Sequence, residues 1–225
     1  MAKLYYNCPG GAFGDCMPFG KDGVFYLYYL KDNRKPQDQK DPFVWDLVTT
    51  PDFVHYTEQG TAIAGSGPND QDQDIISGSV MEGMGQYHAF YTGANLSFSA
   101  KGLPSQVQMH ATSDDLIHWT KDRSLHLPPQ PGYDISDWRD PFVFWCQEQE
   151  EYLMLLGGRK AGPKTQQTGR TVQFASKDLE HWEFRGDFWA PGLYTMHEMP
   201  DLFYMDGWWY HIITEYSHRS KMIYR

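Results

Sequence analysis

Three carboxylates stand in settings suited to acid–base and nucleophilic chemistry. They are Asp15 in Gly14-Asp15-Cys16-Met17-Pro18-Phe19, Asp140 in Ser136-Asp137-Trp138-Arg139-Asp140-Pro141-Phe142-Val143, and Glu198 in Met196-His197-Glu198-Met199-Pro200-Asp201. Each stands just ahead of, or at the start of, a run that reads as a strand. Arg139 beside Asp140 is expected to hold that carboxyl ionised, because a nearby positive charge favours the charged form. Pro141 sets the direction of the chain and is expected to keep Asp140 extended. Glu198, read as lying beside two other carboxylates and aromatic groups, is expected to be pushed toward its neutral form. Such a set suits cleavage of a glycosidic bond. One carboxylate attacks the anomeric carbon or activates water, and a protonated one assists the leaving oxygen. A third can stabilise charge or hold ring hydroxyls. Groups so far apart in sequence can act together only if the fold brings them to one sugar-sized pocket.

An internal repeat indicates how the chain does this. Thr50-Pro51-Asp52-Phe53-Val54-His55-Tyr56 recurs as Ser113-Asp114-Asp115-Leu116-Ile117-His118-Trp119 and again as Ser176-Lys177-Asp178-Leu179-Glu180-His181-Trp182, with successive aspartates 63 residues apart. A hydroxyl residue followed by an acid two places on reads as a capped tight turn. The aromatic that ends each copy is expected to pack against the neighbouring unit. The histidines recur in all three copies and read as structural. Between the copies lie hairpins: 15–30 around Asp22-Gly23, 77–92 around Gly85, 142–156 around the acidic turn 148–151, and 202–214 around Asp206-Gly207. The charged stretch 32–41 reads as an exposed loop. Amphipathic helical patterns are essentially missing, so the chain reads as all-β. Four short strands at a period near sixty are the pattern of propeller blades. The units fall near 11–63, 72–128 and 137–190, with a fourth starting near 196, so residues 1–225 read as a single, partial β-propeller domain. Blades aim the start of their innermost strand at the central axis, where Asp15, Asp140 and Glu198 are expected to meet.

Composition narrows the partners. The formal net charge is −10, which disfavours nucleic acid, since phosphate binding wants a basic face. Aromatic residues make up 16%; most read as sheet packing and a few as surfaces for sugar stacking. The three cysteines, Cys8, Cys16 and Cys146, have no metal-ligand spacing, and the nine histidines form no metal motif, so neither a metal nor another cofactor is expected. Without a signal-like apolar core or a run near the ~20 apolar residues of a membrane helix, the reading is a cytoplasmic protein with reduced thiols. The open end of the propeller would be an exposed sheet edge, and a homo-oligomer would cover it.

The motifs resemble glycoside hydrolase family 32, the β-fructofuranosidases. Trp138-Arg139-Asp140-Pro141 is similar to the family's R-D-P, and Glu198-Met199-Pro200-Asp201-Leu202-Phe203 to its E-C-P-D-L-F. Ser77-Gly78-Ser79-Val80 is similar to W-S-G-S, Phe90-Tyr91-Thr92-Gly93 to F-Y-T-G, and the repeated element to K-D-L-x-H-W. The resemblance implies a five-bladed propeller with a C-terminal β-sandwich, of which this chain holds about three and a half blades and no sandwich. It implies Asp15 as nucleophile, Asp140 as transition-state stabiliser and Glu198 as general acid/base, acting with retention on sucrose- or fructan-type substrates. It places Arg139 and Ser77 on the terminal sugar and Trp45 in the pocket wall. The chain departs from the family around Asp15, where W-M-N-D-P-N-G is replaced apart from the aspartate. It departs also at Leu30 (glutamine), Ile76 (tryptophan) and Met199 (cysteine). Two other readings compete: an inverting arabinanase- or xylosidase-like propeller, and a non-catalytic carbohydrate-binding propeller fragment. All three take an oligo- or polysaccharide as partner.

Overall fold

Four antiparallel sheets follow one another along the chain in the computed structural model, which describes residues 5–32, 41–217 and 221–224. The first contains β1 (Ala12–Lys21), β2 (Val24–Asp32), β3 (Trp45–Thr50) and β4 (Thr57–Ile63). The second contains β5 (Asp74–Gly83), β6 (Gln86–Ala94), β7 (Gln106–Ser113) and β8 (Thr120–Leu127). The third contains β9 (Tyr133–Cys146), β10 (Glu151–Lys160), β11 (Gly169–Ser176) and β12 (Glu183–Trp189). The fourth contains β13 (Met196–Met205), β14 (Trp208–Tyr216) and β15 (Lys221–Tyr224). Within each sheet the strands pair in sequence order, and the sheet limits agree closely with the units read from the 63-residue period. The core of the expected loop, residues 33–40, lies outside the described residues. No helix among the described residues is long and apolar enough to cross a membrane.

The hairpins form where the turn chemistry allows them. Asp22-Gly23, Met84-Gly85 and Asp206-Gly207 all have positive φ and join strands through two-residue loops. This is the turn whose twist matches paired strands, and glycine adopts its second position without strain.

The repeated element locks neighbouring sheets together. In each copy the Ser/Thr hydroxyl accepts backbone N–H groups two and three residues on, at 3.3 and 2.8 Å for Thr50 and at 3.2 and 2.9 Å for Ser113 and Ser176. The aspartate takes the next two N–H groups, and its second oxygen meets the His Nδ1 at 2.7–2.9 Å. The residue after the aspartate is thereby held at positive φ, as Phe53, Leu116 and Leu179 all show. Leu116 and Leu179 drop into the core, where the Tyr28 hydroxyl, from the first sheet, donates to the Leu116 carbonyl. Trp119 packs edge-on to Tyr28, and Trp182 edge-on to Phe90 in the second sheet. Trp119 and Trp182 therefore do pack against the preceding unit, whereas Tyr56, in the first copy, packs against Tyr6.

Two apolar clusters fill the spaces between successive sheets. One joins Tyr28, Trp45 and Leu47 to Ile75, Tyr91 and Val107; the other joins Met81 and Phe90 to Trp138, Met154 and Phe174. Burial of each such side chain contributes roughly 1.5–3 kcal/mol. The third and fourth sheets approach closely at Gly157, where a Cβ would stand 2.0 Å from the His197 carbonyl oxygen. Strand β1 packs on β5, β5 on β9 and β9 on β13, so the innermost strands lie side by side around an axis.

Candidate active site

Each innermost strand has a slip at which it carries one extra residue relative to its partner, and β9 has a second irregularity between Tyr133 and Trp138. The slip falls between Phe13 and Cys16 in β1, between Ile76 and Gly78 in β5, between Arg139 and Phe142 in β9, and between Glu198 and Asp201 in β13. Asp15, Ser77 and Asp140 lie within these bulges, and Glu198 is the last paired residue before one. The acids were expected just ahead of the strands; they lie inside them. A bulge breaks the ladder and re-aims a side chain, which turns these groups to the axis.

They meet in a cavity of about 220 Å³. Its polar lining is Asp15, Ser77, Arg139, Asp140, Glu198 and Thr214; its apolar lining is Leu30, Ile76 and Met199. A second cavity of about 360 Å³ continues from it along the axis, with Asp140, Met199 and Thr214 bordering both. The expected convergence of the three acids is therefore present. All three positions at which the chain departs from the family pattern by a single residue also face this cavity.

Each acid has a different environment. Asp15 is exposed, and its Oδ2 accepts the Ser77 hydroxyl at 2.7 Å. Glu198 accepts from Arg139 through Nε (3.1 Å) and Nη2, both to Oε1. Asp140 is 6% exposed, and its Oδ2 accepts the Met199 N–H at 3.0 Å. Two expectations about Asp140 fail here. Its φ is +63°, in the left-handed region rather than extended. The bulge imposes this conformation, and Thr92 Oγ1 holds it by accepting the Asp140 N–H at 2.9 Å. Nor does Arg139 keep it ionised, because the guanidinium turns to Glu198 and leaves Asp140 Oδ2 3.9 Å from Nε. Burial pushes the Asp140 carboxyl up to about 7, against the pull of Arg139, and the charges of Glu198 and Asp15 push the same way. Asp140 is thus a raised acid within the cluster.

The support comes largely from residues that sequence reasoning did not single out. Gln106 Oε1 accepts from Arg139 Nη1 (3.3 Å) and from the Trp138 N–H (3.0 Å). Gln108 donates to the Trp138 carbonyl (2.8 Å) and accepts from Thr92 (2.9 Å). Side chains of the second sheet thus grip the bulge of the third. Asp137 receives Arg159 at 2.6 Å, Arg139 at 3.2 Å and Lys164 at 3.3 Å. Burial pushes that carboxyl up, but the three cations outweigh it and hold it below the usual range. Trp45 does not line the cavity. It is fully buried, and its Nε1 donates to the Ile76 carbonyl at 3.1 Å, so it braces the segment carrying Ser77 from behind. The alternation of strands could have revealed Thr214, and Gln106 and Gln108 as neighbours on one face of β7.

Residues 16–223 match the glycosyl hydrolases family 32 N-terminal domain, a match that begins one residue past Asp15. The sucrose-6-phosphate hydrolase of Escherichia coli is 30% identical over 146 residues, covering 64% of this chain and 28% of that protein. The levanbiose-producing levanase of Bacillus subtilis (strain 168) is 26% identical over 193 residues, covering 84% of this chain and 34% of that protein. The solved structure of sucrose-6-phosphate hydrolase from Lactobacillus gasseri superposes with a TM-score of 0.73 at 25% identity, over 91% of this chain and 40% of that one. The chain spans about a third of the length of the curated relatives it matches.

Proposed function

The chain belongs to glycosyl hydrolase family 32, and from that premise we propose that its pocket cleaves β-fructosides of the sucrose and fructan type with retention of configuration. The observation that carries this reading is the convergence of Asp15, Asp140 and Glu198, with Arg139 and Ser77, on one cavity of about 220 Å³. Asp15 is the nucleophile: it is the most accessible of the three, and the Ser77 hydroxyl orients it. Glu198 is the acid/base, protonating the leaving oxygen and then activating water. Asp140 stabilises the developing charge. Such a sequence begins with one proton among the three carboxyls, and the raised Asp140 retains a proton near neutral pH. The three act as a coupled set, so a pH profile reports the set rather than any single residue.

Arg139 and Ser77 hold hydroxyls of the terminal sugar, and Trp45 positions Ser77 through Ile76. The four sheets are read as blades of one propeller domain of the five-bladed type within residues 1–225, and the exposed Tyr204 and Trp208 of the fourth sheet suit a contact with a second copy. The three thiols, none in a disulfide, suit a reducing cytoplasm.

The test is product release from sucrose, inulin, levan and an aryl arabinofuranoside, with Asp15→Asn as the blank and the first-formed anomer read by NMR. Free fructose of retained configuration, absent from the blank, is expected. Arabinose alone, or an inverted anomer, would move the assignment to an arabinanase-like hydrolase. Sugar binding without release would make the chain a carbohydrate-binding fragment.

A further inference from the structure

Arg139 is held from two sides. Its Nε and Nη2 both donate to Glu198 Oε1, and Oε2 takes part in neither bond. Its Nη1 donates instead to Gln106 Oε1 at 3.3 Å and Asp137 Oδ1 at 3.2 Å. Asp137 and Arg139 are two residues apart in β9 and so share a face. Asp137 is shared in turn. Its Oδ2 receives Arg159 Nε at 2.6 Å and Lys164 Nζ at 3.3 Å, and Arg159 also reaches Asp134. Charges therefore alternate outward from the pocket: Glu198, Arg139, Asp137, then Arg159 and Lys164. The side chains of Arg139 and Asp137 are 13% and 12% exposed, that of Lys164 47%. Water thus screens the inner members of the row little, and charges there act strongly on one another.

The charged groups that line the cavity with Glu198 are Asp15 on β1 and Asp140 and Arg139 on β9. Among the described residues lining it, Arg139 is the one cation. His197 and Glu215, one residue from Glu198 and Thr214, do not line it. The Tyr216 ring lies 5.9 Å from the Arg139 guanidinium carbon and 5.3 Å from Lys164 Nζ. A cation beside a carboxylate favours its ionised form, which is the wrong form for protonating a leaving oxygen. An ionised carboxylate behind the guanidinium offsets that effect. Asp137 is such a group, since its three cations outweigh its burial and hold it below the usual range.

The geometry points to Asp137 as a positioning residue for acid assistance: it draws Arg139 Nη1 and offsets the guanidinium charge, so that Glu198 can carry the proton passed to the leaving oxygen. Lys164 opposes it, because its ammonium competes for the Asp137 carboxylate. This rests on the proposed role of Glu198 in fructoside cleavage. Neither Asp137 nor Lys164 lines the cavity, so both act through Arg139.

The test compares two β-fructosides. One has an activated aryl leaving group that departs with little protonation; the other is sucrose, whose leaving sugar needs it. The ratio of kcat/KM for sucrose to that for the aryl substrate cancels a general loss of folded protein. In Asp137→Asn the Arg139 charge falls on Glu198 alone. The ratio is expected to fall about tenfold at pH 7, and the basic limb of the sucrose profile to move about one unit to lower pH. Asp137→Glu keeps the carboxylate and should restore most of the ratio. Lys164→Gln removes only the competing cation, at a half-exposed site, so its limb should move the other way by roughly a few tenths of a unit. Equal losses on both substrates in Asp137→Asn, with the limb unmoved, would overturn the inference. If Asp137→Asn does not fold, the Lys164→Gln limb decides: a move to higher pH supports the inference, and no move or a move to lower pH overturns it. A native chain that turns over neither substrate overturns the fructosidase reading and this inference with it, whereas native turnover with limbs unmoved in both variants overturns this inference alone.

Discussion

Two sets of three carboxylates recur along this chain, and they behave in opposite ways. Asp52, Asp115 and Asp178 sit in turns that are nearly copies of one another. Each is served by its own neighbours within three residues, and local N–H groups and the adjacent His hold each carboxyl below the usual range. Asp15, Asp140 and Glu198 sit in equivalent innermost strands, yet no two have the same partners. Their contacts come from other sheets: Ser77 for Asp15, Thr92 and Met199 for Asp140, Arg139 for Glu198. A carboxylate satisfied locally builds the scaffold. A carboxylate whose environment is assembled across sheets has its proton affinity set by the fold, and this is the kind a reaction can use.

The largest break in the comparison is expected at Asp15. Asp15→Asn should lower turnover on the order of 10⁴-fold or more, while its exposure keeps the change in stability within about 0.5 kcal/mol. Product release and thermal melting of the same sample check both halves. Next is Asp140. Its folded pKa of about 7 lies above the ordinary carboxylate value of about 3.9, so the folded state binds the extra proton between those values. The stability carried by that proton is present below about pH 4 and is lost as pH rises through 7. Asp140→Asn should match the native chain at pH 4 and exceed it by up to about 4 kcal/mol at pH 8, read by denaturant melts across that range. Turnover should fall in the same variant.

Gly78 tests the bulge itself. A Cβ there would stand 1.9 Å from the Phe90 carbonyl oxygen, so Gly78→Ala should cost about 2–3 kcal/mol and displace Ser77 from Asp15, with activity falling more than stability alone explains. The smallest effect belongs to the turns. Asp115→Ala should cost about 1 kcal/mol and leave the pocket acids working. Because the Asp115 pKa is lowered in the fold, that contribution is present above about pH 4 and is lost on acidification. A turn variant as inactive as Asp15→Asn would erase the distinction between the two sets.

The scaffold was easier to read than the pocket, for a physical reason. The turns announce themselves through Ser/Thr, Asp and His at fixed offsets and through Asp-Gly and Met-Gly hairpins, all of which act locally. The bulges are differences of register between two strands. Counting back from the Asp206-Gly207 turn would set Glu198 opposite Glu215; the extra residue sets it opposite Thr214 instead. The corresponding slip in β9 moved Asp140 out of the extended conformation expected before Pro141. Arg139 stands next to Asp140 in sequence, but successive side chains of a strand point apart, and the guanidinium reaches the fourth sheet. The blade period brought the three acids to a common cavity and the family resemblance added Ser77 to it, but the resemblance also drew Trp45 into a wall where the fold has a core indole.

The most direct test of the pocket is a search for the covalent intermediate. An activated aryl β-fructoside needs little help to leave, whereas hydrolysis of a fructosyl-enzyme needs the base. In Glu198→Ala the intermediate should therefore accumulate. Acid quench followed by peptide mass spectrometry is expected to find one fructosyl unit on the peptide bearing Asp15 and none on that bearing Asp140. An adduct on the Asp140 peptide, or aryl release at the native rate with no adduct anywhere, would contradict the assignment of Asp15 as the nucleophile.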